Sequence, residues 1–452
     1  MPLNKHKVTG RYLVLLCEGR TQEGVTKLID IAGLSLARAP SRRSKTGKSG
    51  VLTAQCAIVF NSIGVALIRC TLDKQPLLDR AMAESGGAIL AIEPERRVYA
   101  TGRRQVSVPT PVQPGSKSET IFGDALLQTY LKGYRDAVDD LAGRLGAVPR
   151  QPGEPRPGAA VDESLSTWGI QATKAVLSQY SGTGVRLAVL DTGLDLQHPD
   201  FSSHSITSRS FVDGQTVQDG NGHGTHCAGI ACGPVQPSAA PRYGVASSVQ
   251  LYVGKVLSDE GSGDDGGVLE GINWAVENQC QIISMSLGSP VQPGQGYSKV
   301  FEEAARRALK AGTVVIAAAG NDSQRDTLIA PVSHPANCPS IMAVAAIDKH
   351  MQIAPFSSGG LEGDGGQVDV AGPGVDILSS WPGPEHYRSL SGTSMATPFV
   401  AGVAALLAEA DGGISGHVLL SRIVQSTLRL ALPSRDVGAG LIQAPHEEKV
   451  AL

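Results

Sequence analysis

The stretch VRLAVLD, residues 185–191, is an almost unbroken apolar run that ends in a carboxylate. Four more short apolar runs follow it along the chain, and segments with helical spacing of apolar residues lie between them. Apolar strands that alternate with helices are typical of a parallel sheet buried on both faces. The sequence therefore predicts a three-layer α/β domain with a mainly parallel sheet over residues 164–445. Its predicted strands are 185–191, 250–257, 282–287, 313–320 and 341–348, and its predicted helices include 268–279, 298–312 and 394–410.

Residues 8–103 form a second, smaller pattern. Its apolar runs predict the order β-α-β-β-α-β, which is that of a small ferredoxin-like α+β domain. The predicted elements are a strand over 12–17, a helix over 23–34, a hairpin of 54–60 with 64–70, a helix over 74–85 and a strand over 87–94.

Residues 104–163 lie between these two domains. Pro/Gly-rich stretches at 108–116 and 150–158 resist regular structure, and between them residues 121–145 have the apolar spacing of one amphipathic helix. We expect a connector whose helix packs on a neighbouring domain of the same chain rather than on a partner protein.

The composition argues against several functional classes. The 452 residues include 39 Lys and Arg against 42 Asp and Glu, a net charge of −3, which does not favour a nucleic-acid-binding protein. The longest apolar runs are far shorter than the roughly 20 residues that span a bilayer, so we predict no membrane segment. The first residues do not match a signal peptide, and the seven cysteines are scattered without a C-x-x-C pair. These features predict a cytoplasmic protein in a reducing compartment.

In sheets of this kind, ligands bind beyond the carboxyl ends of the strands. Polar side chains that could take part in catalysis lie at these places in the sequence. Asp191 ends the first strand, and Asn321 follows the strand 313–320. His223 lies between two glycines in NGHGTHCAG, just before a predicted helix, and Ser394 in SGTSMATP opens the helix 394–410. We expect these side chains to meet at one edge of the sheet.

These residue types form a coherent set for acyl transfer. Ser394 can attack a carbonyl carbon while His223 takes its proton and later returns it to the leaving amine, and Asp191 holds the imidazole in the required tautomer. The N–H groups at the start of the helix and the side-chain amide of Asn321 can donate hydrogen bonds to the developing oxyanion.

The motifs around these residues resemble those of the subtilisin-like serine proteases, the subtilases. The resemblance includes DTGLDLQHPD, GHGTHCAG, SMSLGS, AAAGND and SGTSMATPFVAG in this order, and it covers most of residues 168–444. It implies a subtilisin-like fold and a serine endopeptidase that acts through an acyl-enzyme and requires no cofactor for the chemistry. It also implies a cis peptide bond before Pro335.

The same resemblance implies a cleft in which a peptide or protein substrate binds as an added strand. One edge of this cleft is Ser286, Leu287 and Gly288, and the facing edge is Gly261, Ser262 and Gly263.

Five carboxylates lie close to these two edges in the sequence. As a hypothesis, they favour basic side chains in the substrate through charge complementarity; the alternative is an acidic loop that only faces solvent. The residues are Asp259, Glu260, Asp264, Asp265 and Asp322.

The N-terminal domain ends in GGAILAIEPERRVYAT, residues 86–101, which resembles the end of the subtilase propeptide. The resemblance implies a zymogen whose N-terminal domain assists folding and inhibits the cleft of its own chain, and we expect the maturation cut within residues 102–164. The alternative is a ferredoxin-like domain with another role.

Many subtilases bind calcium, and Asp200 matches one carboxylate of that site. The usual ligand loop is replaced here by ACGPVQPSAAPRYGV, residues 231–245, in which only Gln236 offers a side-chain ligand of the usual kind. Because calcium takes six to eight oxygen ligands, we expect this site to be absent, while a weaker calcium site elsewhere stays open.

Two other functions are compatible with the same residues. A peptide ligase or macrocyclase would pass the acyl group to an amine instead of water, and a non-catalytic peptide-binding module would use the cleft alone. Hydrolysis is preferred because no sequence feature indicates a cap that excludes water. The binding module is disfavoured because the four candidate residues Asp191, His223, Asn321 and Ser394 are all present.

Overall fold

The N-terminal part of the chain contains a sheet of five strands with the order β2-β3-β4-β1-β5. In the computed structural model, which describes residues 10–33, 35–36, 56–70, 75–100, 162–360 and 366–446, strands β3, β4, β1 and β5 pair antiparallel, and β2 adds a parallel edge. Apart from the two-residue edge strand β2, these elements follow one another in the predicted order β-α-β-β-α-β. The elements are β1 (Arg11–Leu16), α1 (Thr21–Ala32), β2 (Ser35–Leu36), β3 (Cys56–Phe60), β4 (Val65–Arg69), α2 (Gln75–Ala83), β5 (Ile89–Pro94) and β6 (Arg97–Ala100).

Strand β1 is buried at every position after Arg11 because its sheet is covered on both faces. Side chains alternate between the two faces of a strand. Val14 and Leu16 pack with the helices α1 and α2 of the same part of the chain. Leu13 and Leu15 belong instead to the large core formed with residues 162–446. The two parts of the chain therefore share one hydrophobic core and form one compact unit.

The C-terminal part is built on a nine-stranded sheet with the order β18-β19-β15-β14-β13-β11-β7-β9-β8. All its neighbouring strands are parallel except the edge pair β18 and β19, which confirms the predicted mainly parallel sheet. Its strands are β7 (Arg186–Asp191), β8 (Ile206–Ser210), β9 (Gln250–Lys255), β11 (Ile282–Met285), β13 (Val314–Ala318), β14 (Met342–Ile347), β15 (Val370–Pro373), β18 (Thr427–Leu428) and β19 (Leu441–Ile442).

Helices cover both faces of this sheet. Helices α4 and α7 pack on each other over one face, and α5 and α6 pack on each other over the opposite face. Strands β1 and β5 of the N-terminal part lie against α6, and β3 lies against α5. The helices are α3 (Trp168–Ala172), α4 (His223–Cys232), α5 (Asp265–Glu277), α6 (Lys299–Lys310), α7 (Thr393–Ala410), α8 (Gly416–Gln425) and α9 (Ser434–Val437).

Helix α7 is long and apolar enough, by length and composition alone, to cross a membrane. However, 89% of that stretch is buried inside the protein, as expected of a core helix. Small residues allow close packing: a Cβ at Gly402 would collide with the Val245 side chain.

The predicted strand 282–287 is wrong at its end. Strand β11 ends at Met285, and after one intervening residue, Ser286, a separate strand β12 (Leu287–Gly288) begins. Strand β12 forms a small antiparallel sheet with β6 and with β10 (Ser262–Asp264). A further hairpin pairs β16 (Ile377–Ser380) with β17 (Tyr387–Leu390). The connector helix predicted within 121–145 lies outside the described residues, and the domain boundaries 8–103, 104–163 and 164–445 stay predictions.

Arg307 of helix α6 connects the two parts of the chain. Its side chain is 7% exposed, and its guanidinium donates hydrogen bonds to the carbonyl oxygens of Leu16 at 2.8 Å and Ile63 at 3.0 Å. Its Nε donates to Glu303 at 2.9 Å. Gly64 is required beside it, because a Cβ at this position would collide with the guanidinium.

Substitution of Arg307 is therefore expected to destabilise the whole unit. In Arg307→Ala two buried carbonyl groups lose their donor and Glu303 loses one of its two arginine partners. These losses should cost about 3 kcal/mol of unfolding free energy. Arg306→Ala is the matched control, since Arg306 is half-exposed and binds only Glu303, and it should cost under about 1 kcal/mol. Thermal unfolding of full-length chains in an inactive Ser394→Ala background measures both. Equal midpoints for the two variants would contradict this role of Arg307.

Candidate active site

A buried carboxylate and imidazole meet at the carboxyl end of strand β7. The Oδ1 atom of Asp191 lies 2.7 Å from Nδ1 of His223, and the two residues are 1% and 4% exposed. The backbone N–H of Thr192 donates to the same oxygen at 2.7 Å. Because a carboxylate only accepts, Nδ1 carries the proton and Nε2 is the basic nitrogen of the neutral ring. Nε2 is buried and has no hydrogen-bond partner within the described part of the chain.

The turn before helix α4 fixes the position of His223. Gly222 adopts φ 102°, a conformation that favours glycine. The carboxylate of Asp219 accepts hydrogen bonds from the backbone N–H of Gly222 at 2.9 Å and of Thr225 at 2.9 Å. It also accepts one from the hydroxyl of Thr192 at 2.9 Å, so a single buried side chain ties the Asp191 turn to the His223 turn.

Ser394 is the second residue of helix α7, as the sequence predicts. It is buried, and its hydroxyl donates to the carbonyl oxygen of Ser286 at 3.2 Å. The hydroxyl of Ser286 donates in return to the carbonyl oxygen of Ser394 at 2.7 Å. The thiol of Cys227 lies 3.6 Å from that same carbonyl oxygen and 3.8 Å from Nδ1 of His223. The start of helix α7 therefore lies beside the buried Asp191–His223 pair.

Asn321 belongs to the same cluster. Its Oδ1 atom accepts hydrogen bonds from the backbone N–H of Thr393 at 2.9 Å and from the Thr393 hydroxyl at 3.0 Å. These contacts attach Asn321 to the first turn of helix α7 and determine which end of its amide is the donor. The structure therefore brings together all four candidate residues, Asp191, His223, Asn321 and Ser394.

The two histidines of helix α4 have opposite electrostatic environments. Burial by itself would lower the pKa of His223, but the charge of Asp191 and its hydrogen bond raise this pKa well above 6.5. Burial lowers the pKa of His226 to about 3. The Nε2 atom of His226 lies 2.9 Å and 3.1 Å from the carbonyl oxygens of Arg388 and Ile377, so it donates as a neutral ring.

Cys227, Asp191 and His223 offer three ligand atoms within 4.8 Å of one another. Burial raises the pKa of Cys227, and its thiol packs between the imidazole and the start of helix α7.

The two predicted cleft edges lie on either side of strand β6 (Arg97–Ala100), which is called the tail of the N-terminal part. Strand β6 pairs antiparallel with β12, with Ala100 opposite Leu287 and Tyr99 opposite Gly288. On its other side it pairs with β10, and the N–H of Ala100 donates to the carbonyl oxygen of Gly261 at 2.9 Å. The tail thus lies in the cleft as an added strand.

The five predicted carboxylates differ in their surroundings. Asp265 is buried and lies 3.0 Å from Nε2 of His334, and Asp259 accepts from Lys255 at 2.7 Å. Asp265 also accepts a hydrogen bond from the N–H of Arg96 at 3.1 Å, and the Asp259 side chain is 41% exposed, so their role towards a substrate stays a prediction. Asp264 forms ion pairs with arginines of the N-terminal part, and Glu260 and Asp322 are exposed.

Asp200 is enclosed by hydrogen-bond donors. Its carboxylate accepts from the hydroxyls of Tyr243 at 2.6 Å and Tyr387 at 2.9 Å and from the N–H of Ser238 at 2.9 Å. Burial by itself would raise the pKa of Asp200, but these hydrogen bonds lower it. The peptide bond between His334 and Pro335 is cis, as the resemblance implies.

Two residues of this region escape prediction from the sequence, Asp219 and Lys255. Lys255 is fully buried, pairs with Asp191 in the register of β7 and β9, and donates to the carbonyl oxygen of Thr192 and to Asp259. The signal that identifies Asp191, a polar residue at the end of an apolar run, does not apply to Lys255, because two apolar residues follow it in the predicted strand 250–257. Asp219 lies in a turn and offers no such signal either.

Comparison with known proteins defines the class. The fold and the strand-lined cleft are those of an α/β serine peptidase, and the subtilase family model matches residues 182–440. Because this match covers more than half of the 452 residues, the chain belongs to the subtilase family. It is a serine endopeptidase, a hydrolase.

Curated relatives support this assignment. A thermostable alkaline protease of Halalkalibacterium halodurans is 40% identical over 264 residues, which cover 58% of this chain and 67% of the relative. Subtilisin DY of Bacillus licheniformis is 37% identical over 60% of this chain and 94% of its own length. Subtilisin Savinase of Lederbergia lenta is 37% identical over 61% of this chain and 96% of its own length.

The electrostatic argument predicts how His223 responds to loss of its partner. In Asp191→Asn the attraction disappears while burial remains, so the pKa of His223 should fall from well above 6.5 to below it. NMR titration of the imidazole in a Ser394→Ala background measures this change. His226 is an internal control, because it should remain neutral in both proteins. An unchanged pKa of His223 in the variant would show that Asp191 does not govern it.

Proposed function

We propose that Ser394, His223 and Asp191 form the catalytic triad with which this subtilase hydrolyses peptide bonds. The observation that carries the proposal is the buried 2.7 Å contact between Asp191 and Nδ1 of His223, which leaves Nε2 as the ring's basic nitrogen. The contacts of Cys227 with both His223 and Ser394 support it, because they link the imidazole to the start of helix α7.

The reaction follows from these positions. The Oγ atom of Ser394 attacks the substrate carbonyl carbon while Nε2 of His223 accepts the hydroxyl proton. The carbonyl oxygen becomes an oxyanion that accepts hydrogen bonds from the Asn321 amide and the N–H groups at the start of helix α7. The C–N bond breaks as His223 protonates the leaving amine. Water, deprotonated by His223, then attacks the acyl-enzyme, and the C–O bond to Ser394 breaks as His223 returns the proton to Oγ, which releases the acid.

The substrate binds as a strand between two edges of the cleft. Ser286, Leu287 and Gly288 form one edge, and Gly261–Gly263 form the other. The position of strand β6 between these edges supports this assignment. Main-chain hydrogen bonds supply affinity on such edges, and alternate side chains of the substrate supply specificity.

We further propose that the N-terminal part is an intramolecular inhibitor and folding partner that self-processing removes. Glu93 accepts from the N–H of Lys299, and Glu95 accepts from the N–H of Gly266, at 2.8 Å and 3.0 Å. Carboxylates are favourable at the N-termini of helices, here α6 and α5, so these contacts hold the tail in the cleft.

Acyl transfer to an amine and non-catalytic binding are not favoured by any contact in the described residues. The cytoplasmic location and the absence of nucleic-acid and membrane partners stay predictions.

Intact mass spectrometry of full-length protein tests the triad and the zymogen together. The wild-type chain should lose an N-terminal fragment that ends within residues 102–164, whereas Ser394→Ala should stay whole. The same substitution should lower peptide hydrolysis by about 10⁶-fold. Ser391→Ala is the control, because this serine precedes helix α7 and only accepts from the N–H of Asp376; it should process normally.

The outcomes separate the two claims. If both chains keep their full mass but the wild type hydrolyses added peptides, the self-processing proposal is wrong and the triad stands. If the Ser394→Ala chain is as active on added peptides as the wild type, the triad proposal is wrong.

We also propose that hydrogen bonds replace calcium at Asp200. Three protein donors surround its carboxylate, whereas calcium needs oxygen ligands that carry lone pairs toward the ion. Asp200→Asn should lower stability by about 2 kcal/mol through these lost charge-assisted bonds. The loss should be equal in calcium and in chelator, as measured by thermal unfolding in the Ser394→Ala background. A calcium stabilisation of the parent that vanishes in Asp200→Asn would mean that a cation binds there.

A further inference from the structure

The pairing of strand β6 with β12 shows which residue of a bound peptide would lie beside Ser394, and the other peptide positions can be counted from that residue. Ala100 lies opposite Leu287, and Ser286 is the next residue along that edge. The carbonyl oxygen of Ser286 lies 3.2 Å from Oγ of Ser394. In a peptide bound in the same register, the residue opposite Ser286 therefore presents its carbonyl group to Ser394. The acyl residue is therefore one position after the position of Ala100 and four positions after the position of Arg97.

The side chains of the tail alternate across the cleft. Val98 is fully buried in the shared core, whereas Tyr99 is 48% exposed. In a bound substrate, the side chain three positions before the acyl residue should therefore be buried, as Val98 is. The side chain two positions before the acyl residue should be largely exposed to solvent, as Tyr99 is. These two positions can stay constant while the position of Arg97 is varied.

Asp264 lies directly opposite Arg97 in the pairing of β10 with β6. Its Oδ1 atom is 3.5 Å from Nε of Arg97, and its Oδ2 atom is 2.8 Å from Nη2 of Arg11. Both arginines belong to the N-terminal part. When a substrate replaces that part, both cations leave and the carboxylate remains at the end of the cleft.

Two of the neighbouring acids keep a partner inside residues 162–446. Asp259 is bound by Lys255. Asp265 is bound by buried His334 and also accepts a hydrogen bond from the N–H of Arg96 at 3.1 Å.

Glu260 is exposed and lies outside the pairing of β10 with β6. Asp264 is therefore the acid whose two cationic partners leave with the N-terminal part, and a cation at the position of Arg97 is the group that neutralises it.

We propose that Asp264 makes this peptidase select a lysine or arginine at the fourth residue before the acyl residue of its substrate. The inference rests on the proposed function, because it needs a cleft that binds and cleaves peptides. It narrows the class of substrates to extended chains with a cation at that position followed by an aliphatic residue.

The size of the preference follows from exposure. The side chain of Arg97 is 50% exposed and that of Asp264 is 24% exposed, and ion pairs of this kind contribute up to about 1 kcal/mol, or about fivefold. A contact so far from the reacting bond is equally strong in the ground and transition states, so it should change KM rather than kcat. Added salt should weaken it.

A series of quenched fluorescent peptides tests the inference on the active enzyme recovered from the full-length chain. The peptides share Val-Tyr-Ala-Thr-Gly and carry Arg, Lys, Ala or Glu immediately before it. We expect kcat/KM to be about threefold higher for Arg or Lys than for Ala, and about tenfold higher than for Glu. Asp264→Asn should remove these differences, and Asp264→Lys should make Glu the preferred residue. Glu260→Gln is the matched control and should keep the wild-type order.

The outcomes distinguish this inference from the function on which it rests. If casein and all four peptides are cleaved but the rates are equal, the preference does not exist and the peptidase assignment stands. If the preference persists in Asp264→Asn, another group selects the cation and the inference is wrong. If neither casein nor any peptide is cleaved, the proposed function fails and the inference fails with it.

Discussion

The rest of the site depends on one buried contact, the hydrogen bond between Asp191 and His223. A carboxylate removed from water is costly unless hydrogen-bond donors surround it. Here the donors are the imidazole and the N–H of Thr192. Asp191 is buried at the end of an apolar parallel strand, and the turn at Gly222 places His223 within hydrogen-bond distance of it. Because the buried carboxylate needs this donor, the imidazole ring is held in one orientation. Asp219 accepts hydrogen bonds from both turns and therefore holds Asp191 and His223 in their relative positions.

Much of this arrangement could be predicted from the sequence, because it follows from sheet geometry. Parallel strands bring their carboxyl ends to one edge, so a polar residue after each apolar run is a good indicator of a site. This reasoning places Asp191 and Asn321, and the helix start places Ser394. Lys255 does not follow this rule, because the apolar run continues past it to Leu257, whereas strand β9 of the structure ends at Lys255.

Other features could not be predicted, because they depend on contacts between residues distant in sequence. Asp264 and Asp265 are adjacent and chemically identical, yet the first forms ion pairs with two arginines of the N-terminal part, and the second is buried against His334, 69 residues away. Arg307 lies in a charged stretch that resembles a solvent-exposed helix face. Its burial depends on two carbonyl groups that belong to Leu16 and Ile63 of another sheet. Local patterns carry no information about such partners.

The tail of the N-terminal part binds through more than its own four residues. A free peptide with the sequence of strand β6 would bring the main-chain pairing and Arg97, but not Arg11, Glu93 or Glu95. Covalent connection also raises the effective concentration of the tail in the cleft, without any additional contact. In the proposed zymogen, the N-terminal part would use the same recognition as a substrate and still exclude substrates, because contacts outside the cleft add to its affinity. A cut after strand β6 would remove the connection but leave the helix-capping glutamates and Arg307 in place. Release of the N-terminal part would then be a separate step from the cut, because these contacts would have to be broken.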